Sequence, residues 1–245
     1  MGFSCHPRPH GDFSKLITYL KNLRKKTAEK LSIKVRKDYE KISDDFDVSR
    51  KYNWKEFDEF IKYIKQDGKL ADLGCGNGRF FGYIKDVRNV QYVGVDNNEA
   101  LINKAKSNFP EAKFIVGDML DLPFENDSLD VVVAIASLHH IPSNILRKKA
   151  IEEIHRVLKK NGILIITVWN LFQPKYIKYI WRARIKFVLT LGKYGLRDVF
   201  IPWGKSGVDR YYYAFKKGEL TRLIYEKLEV INVKKGNNLI FVCRK

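Results

Sequence analysis

A chain of 245 residues that is 45% hydrophobic can bury one sizeable core, and its net charge of +18 calls for a polyanionic partner rather than a basic one. No apolar run approaches the roughly 18 residues of a membrane span, which argues against an integral membrane protein. Three scattered cysteines, Cys5, Cys75 and Cys243, argue against a disulfide-built module and for a reducing, cytoplasmic location.

Residues 1–37 read as a basic N-terminal extension with a net charge of +8. Within it Phe13, Leu16, Ile17, Leu20, Leu23, Leu31 and Val35 fall near one helical face among many lysines, the pattern of an RNA-binding arm or an organelle presequence. Cys5, His6 and His10 lack a second ligand pair and read as part of a flexible terminus, so no metal site is expected. Residues 38–245 form one α/β unit of alternating strand and helix signals. Asp38 to Tyr63 reads as mostly helical, Lys69 to Leu73 as the first strand, Val90 to Val95 as the second and Lys113 to Val116 as the third. The fourth strand is Asp130 to Ala136, followed by a helix from Asn144 to Leu158, a helix stop at Lys159 to Gly162 and a fifth strand from Ile163 to Val168. After an irregular segment come a helix from Lys217 to Glu226 and strands Glu229 to Lys234 and Leu239 to Cys243, joined by a tight turn.

The first strand ends in Asp72-Leu73-Gly74-Cys75-Gly76-Asn77-Gly78, a turn that brings backbone close to a ligand before a helix opens near Arg79. The glycines fall as G-x-G-x-G after an aspartate, which departs from the G-x-G-x-x-G dinucleotide pattern and favours S-adenosylmethionine. Asp72 can meet the cofactor amino group, Asp96 the two ribose hydroxyls and Asp118 the adenine amine, with Met119 against the ring. Three strand ends carrying these acids in order suit an open parallel sheet that binds its ligand at the carboxyl edge. The cofactor set is Asp72, Gly74, Cys75, Gly76, Gly78, Asp96, Asn97, Asp118, Met119 and Ala136. An acidic residue followed by G-x-G-x-G resembles the first motif of the class I methyltransferases. That resemblance implies a Rossmann-like, mostly parallel seven-stranded sheet with helices on both faces and a C-terminal antiparallel hairpin.

The charge is uneven: residues 38–170 carry −2, residues 171–217 carry +9 and residues 218–245 carry +3. In the basic, aromatic-rich insertion at 171–217, Trp181, Tyr194, Trp203, Tyr211, Tyr212, Tyr213 and Phe215 interleave the cations, which suits phosphates and unstacked bases. The same insertion also permits a basic amphipathic helix through Ile177, Ile180, Trp181, Val188 and Leu191, able to lie on anionic lipid. No N/D-P-P-Y/F motif follows the fourth strand, which argues against methylation of an exocyclic base nitrogen. An acceptor already acidic needs only alignment, since no base must remove a proton.

A closer resemblance runs over residues 38–243. Tyr39-Glu40-Lys41-Ile42 to Phe46, Ser49-Arg50-Lys51-Tyr52 with Trp54, the glycine loop, Ser137-Leu138-His139-His140, Val168-Trp169, and Arg210-Tyr211-Tyr212 with Phe215 and Gly218-Glu219-Leu220 occur in the order found in the wobble-uridine tRNA carboxymethyl methyltransferases. The resemblance implies methyl transfer from S-adenosylmethionine to the carboxylate of 5-carboxymethyluridine in tRNA, giving a methyl ester. It implies that Arg50 and Arg210 hold substrate anions, that His139 or His140 orients the acceptor, and that Tyr212 either stacks on a base or packs in the core. It also implies a small zinc-binding activator protein covering an apolar sheet edge, sought at the Val90 to Val95 strand and its neighbour. Against this stand a small-molecule or lipid-quinone methyltransferase, prompted by His139-His140 and the amphipathic segment, and a non-catalytic cofactor-binding scaffold.

Overall fold

The structure, a computed structural model, describes residues 13–50 and 54–245. Cys5, His6 and His10, and Lys51 and Tyr52 of the aromatic motif, lie outside the described residues, as do the side chains of Phe13, Leu16, Ile17 and Leu20.

The chain opens with helix α1 (Phe13–Lys41), which crosses the expected boundary at residue 38 without a break. Its Ala28, Leu31 and Val35 reach the core, which binds the second half of the helix to the body of the protein. The single helical stretch expected from Asp38 to Tyr63 is instead broken into the end of α1, α2 (Ser43–Ser49), α3 (Phe57–Phe60) and a 3-10 turn at Ile61–Tyr63. Phe57 and Phe60 both turn into the core, and packing rather than helix propensity dictates that break.

Strands β1 (Lys69–Leu73), β2 (Gln91–Asp96), β3 (Lys113–Val116) and β4 (Leu129–Ile135) alternate with helices α4 (Arg79–Ile84) and α5 (Glu99–Asn108). Helix α6 (Asn144–Val157) leads into β5 (Leu158–Trp169), and α8 (Lys217–Tyr225), β8 (Glu229–Lys235) and β9 (Asn238–Arg244) finish the chain. The seven strands are ordered β3-β2-β1-β4-β5-β9-β8; β1 to β5 pair in parallel, while β9 runs antiparallel to β5 and to β8. This is the seven-stranded sheet with a C-terminal antiparallel pair expected from the sequence. The strands read as continuous apolar runs because both faces are covered. Ala71, Val132, Ala134, Leu164 and Ile166 point into one core, and Leu70, Val131, Val133 and Ile165 into the other. Each of these valines, leucines and isoleucines contributes about 1.5–3 kcal/mol on burial.

Two elements differ from expectation. Lys159 to Gly162 is not a helix stop but part of a longer β5: the β4–β5 register jumps from Leu129↔Leu158 to Val131↔Ile163, and the extra residues are held by the C-terminus through Asn161 N–H to the Lys245 carbonyl. The supposedly irregular insertion is ordered, with a 3-10 turn at Pro174–Tyr176, helix α7 (Ile177–Leu189) and a hairpin of β6 (Asp198–Pro202) and β7 (Asp209–Tyr213). Leu171, Ile180, Ala183, Val199, Ile201, Tyr212 and Ala214 give it a small core of its own, built from residues far apart in sequence.

Gly78 ends the glycine loop at φ 81°, and a Cβ there would lie 2.9 Å from both Phe109 and Phe114 rings. Gly78→Ala is therefore expected to destabilise the fold by about 2 kcal/mol, from left-handed strain and overpacking, and to lower the midpoint of a thermal melt by roughly 4–8 °C. An unchanged midpoint would mean that the two rings yield freely.

Candidate active site

The order reverses between β1 and β4, so the crevice at the carboxyl ends of β1, β2, β3 and β4 is where an open sheet binds its ligand. A cavity of about 230 Å3 lies there, and of the expected cofactor set Asp72, Gly74, Cys75, Asp96, Asn97, Asp118, Met119 and Ala136 line it. Gly76 and Gly78 shape the loop from behind. Gly74 and Cys75 both donate their N–H to the Val95 carbonyl, and the Gly76 N–H donates to Asp96 Oδ2 at 3.0 Å. The other Asp96 oxygen takes the Asn98 N–H at 2.9 Å, while Asn98 caps α5 by accepting from Leu101. The Asp96 carboxylate is thereby fixed at the end of β2, as a bidentate partner for a diol requires.

A Cβ on Gly74 would fall 2.5 Å from that of Ser137, so glycine alone keeps the β1 and β4 ends at this separation. Ala136, across the crevice, holds φ 51°, a strained value for a residue with a side chain, and its N–H is fastened to both the carbonyl and hydroxyl of Thr167. Asp72 is buried and receives the Tyr92 hydroxyl at 2.8 Å. Arg79, which the sequence reading passed over, lies against Trp54 and Phe57 at the same end of the cavity. A buried carboxylate beside a guanidinium fits the ammonium and carboxylate of an amino-acid moiety, and Asp96 fits the ribose. The residues present therefore suit S-adenosylmethionine, which joins the two.

Burial pushes the Asp72 carboxyl up to about 7, opposed by the Tyr92 hydroxyl, reinforced by Asp96 and opposed again by Arg79. That lies above the ordinary aspartate value of 3.8 that holds in the unfolded chain, so protonated Asp72 stabilises the cofactor-free fold fully below 3.8, and the contribution is lost as pH rises through about 7. Thermal melts of the cofactor-free protein are expected to show a midpoint that declines between about pH 4 and pH 7 more steeply than in Asp72→Asn. Parallel profiles for the two proteins would show that Asp72 does not carry this dependence.

The second half of the cavity is lined by Tyr39, Phe46, Arg50, His139, His140, Trp169, Arg210 and Tyr212. His139 and His140 form the 3-10 turn after β4; Arg210 and Tyr212 share one face of β7. Tyr39 and Phe46 come from α1 and α2, and Asn77 of the glycine loop is tied to α2 by donating to Asp47 Oδ1 at 2.9 Å. Tyr212 is wholly buried, stacked on Trp169 at 5.0 Å and packed against both histidine rings, so it offers the cavity its hydroxyl rather than a free ring face. Arg210 is 4% exposed and lies over Trp203 at 4.3 Å, with Arg50 over the far side of the group, against Phe46 and Trp203. Among the described residues Arg210 Nε and Nη1, His139 Nε2, Tyr212 Oη and Ser137 Oγ are buried without a hydrogen-bond partner, and neither Arg50 nor Arg210 forms an ion pair. Buried donors left open in one cavity call for a partner, which a ligand or an ordered water can supply.

The histidine protons follow from their partners. His140 Nδ1 lies 2.8 Å from the Tyr211 carbonyl and must donate to it, which leaves Nε2 to accept the Tyr39 hydroxyl at 2.9 Å. His139 Nδ1 accepts the Trp169 N–H at 3.2 Å, so its proton is on the unpaired Nε2. Burial drives His139 well below the usual histidine value and His140 to about 3, with the Arg210 charge adding to both. Both rings are neutral, and neither has a nitrogen free to take a proton. Tyr39, quoted in the sequence motif without a role, proves to lock His140; Trp203, named in the sequence only among the aromatics of the insertion, reaches the cavity residues Phe46, Arg50 and Arg210 through the fold of the β6–β7 hairpin.

A protein-family model described as "Methyltransferase domain" matches residues 71–166. The chain is 28% identical over 208 residues to the tRNA (carboxymethyluridine(34)-5-O)-methyltransferase of Schizosaccharomyces pombe, covering 76% of this chain and 84% of that protein. It is 32% identical over 150 residues to the protein of the same description from Xenopus tropicalis, covering 59% of this chain but 23% of that protein, so the chain spans about a quarter of the latter. Among solved structures, a SAM-dependent methyltransferase from Methanosarcina mazei superposes with a TM-score of 0.67 at 21% identity, covering 76% of this chain and 96% of that one. A Haloferax volcanii complex between the Trm112 methyltransferase activator and a methyltransferase gives 0.57 at 16% identity, covering 86% and 96%.

Proposed function

From a chain that carries a methyltransferase domain on the class I fold, with S-adenosylmethionine as its cofactor, we propose a tRNA methyltransferase that esterifies the carboxylate of 5-carboxymethyluridine at the wobble position. The observation that carries the reading is the substrate half of the cavity: an unpaired guanidinium, an unpaired imidazole N–H and an unpaired hydroxyl, with no free base. A phenol or an ammonium acceptor must lose a proton before it attacks; a carboxylate has already lost it.

When bound, S-adenosylmethionine supplies an electrophilic methyl group carried on a sulfonium. Asp72 and Arg79 hold its amino-acid end and Asp96 its ribose, while Asp118 and Met119 take the adenine. Arg210 binds the acceptor carboxylate with its guanidinium, a planar fork that matches two carboxylate oxygens, and its Nε and Nη1 have no partner inside the protein. His139 Nε2–H and the Tyr212 hydroxyl fix its orientation, Tyr39 keeps His140 neutral and in place, and Arg50 draws a neighbouring phosphate. Phe46, Trp203 and Trp169 exclude water, which strengthens each of these contacts. The basic residues 1–37 and the 171–217 insertion serve as the tRNA-facing elements flanking the catalytic unit, in the cytoplasm. A small zinc-binding activator is proposed on the β3 edge, where Val116 is exposed beside unpaired backbone groups, and not on the Val90 to Val95 strand, which as β2 is paired on both sides.

The test is transfer of labelled methyl from S-adenosylmethionine to tRNA from cells lacking wobble-uridine esterification, read by nucleoside mass spectrometry with and without such an activator. A methyl ester on 5-carboxymethyluridine is the expected product. Label in a small-molecule or quinone extract, with none in tRNA, would overturn the reading.

A further inference from the structure

Helix α7 carries two apolar faces. One, through Ile180 and Ala183, packs on the β6–β7 hairpin. The other faces solvent: Ile177, Trp181, Ile185, Val188 and Leu189 repeat at helical spacing and are 44–77% exposed, and Leu191 just beyond is 84% exposed. Five such side chains in one stripe differ in kind from the scattered exposed apolar residues of an ordinary surface. Basic side chains border the stripe: Lys178 and Arg182 on one side, Arg184 on the other with its guanidinium 4.7 Å from the Trp181 ring. Residues 171–197 contain seven basic groups and no acidic one. The α1 helix adds a further cation at the end of α7, since Arg24 Nε donates to the Gly192 carbonyl at 3.3 Å.

We propose that this face of α7 docks on an anionic lipid surface, lying in the plane of the headgroups with Trp181, Ile185 and Val188 inserted and the lysines and arginines on the lipid charges. A stripe of apolar side chains within a cationic border is what an interfacial helix presents. Among the described residues no helix is long and apolar enough to cross a membrane, so the contact is peripheral. RNA offers phosphates to the border but nothing to cover isoleucine, valine and leucine, and a second copy of the chain would bring two cationic borders together.

The experiment is co-sedimentation of the full chain with vesicles of phosphatidylcholine alone and of phosphatidylcholine with about 30 mol % phosphatidylserine. Binding to the anionic vesicles is expected, at least tenfold weaker on neutral ones. Ile185→Glu with Val188→Glu should reduce it at least tenfold, whereas Lys227→Gln with Lys235→Gln, which removes the same net charge from an exposed site elsewhere, should reduce it less than threefold. Equal losses in the two variants would show a response to overall charge and overturn the proposal. So would absence of binding, or self-association in solution that the glutamates abolish while vesicle binding stays absent. Binding of S-adenosylhomocysteine and the melting midpoint of the Ile185→Glu, Val188→Glu protein are expected unchanged, since neither residue lines the cofactor cavity, so a failure of docking and a failure to fold read out separately.

Discussion

Arg210→Met is expected to lower kcat/KM for methyl transfer to tRNA by about 10²–10³-fold, on the order of 3–4 kcal/mol of lost transition-state stabilisation, while binding of S-adenosylhomocysteine stays within a few-fold. The guanidinium lies buried among Trp203, Trp169 and Tyr212 with two nitrogens unpaired, so its favourable partner arrives only with the acceptor. In the cofactor-free protein that uncompensated charge costs stability, and methionine of similar length should leave the melting midpoint unchanged or raise it. Activity falling while stability holds or rises is the signature of a group placed for a ligand rather than for the fold. Arg210→Lys should recover little, because a single ammonium cannot reproduce the fork. Retention of full activity in Arg210→Met would place the acceptor elsewhere in the cavity.

Asp96→Ala is expected to weaken binding of S-adenosylmethionine and S-adenosylhomocysteine alike by about 10²-fold, from the loss of charge-assisted hydrogen bonds to the ribose at about 1.5–3 kcal/mol each. The same change frees the Gly76 and Asn98 N–H groups that Asp96 now holds, loosening the glycine loop and the start of α5. Asp96→Asn keeps one acceptor and should fall between the two proteins. Titration calorimetry with S-adenosylhomocysteine reads all three, and an unaltered affinity in Asp96→Ala would mean that the ribose is not held at the end of β2.

The cofactor half of the site was legible in the chain because its signals are local. Each acid closes its own short apolar strand, so the β1 and β3 limits match expectation and Asp72, Asp96 and Asp118 reach one edge as soon as the strands pair in order. The glycine loop is likewise a local backbone requirement, visible as spacing before any contact is known. Arg79 was within reach of the same logic, as the first residue of the helix after the loop, and was missed because an arginine there also reads as a solvated side chain.

The chemistry of the substrate half was not legible, although most of its residues were named. Whether His139 or His140 is a base depends on which nitrogen each has spent, and that is settled by a carbonyl on β7, an N–H on β5 and a hydroxyl on α1, the last 101 residues away in sequence. Likewise Tyr212 becomes a buried hydroxyl donor rather than a stacking platform only because Trp169 and the two imidazoles close around it. The insertion looked irregular for the same reason: a small core shared by Leu171, Ile180, Val199 and Tyr212 orders it, and no short-range periodicity links those residues. The sequence by itself determined the sheet, the cofactor and the charge asymmetry, which rest on period, spacing and composition. Tertiary packing alone decided which polar atoms were paired and which stayed open for a ligand, because burial and hydrogen-bond partnership are properties of neighbours brought together only by the fold.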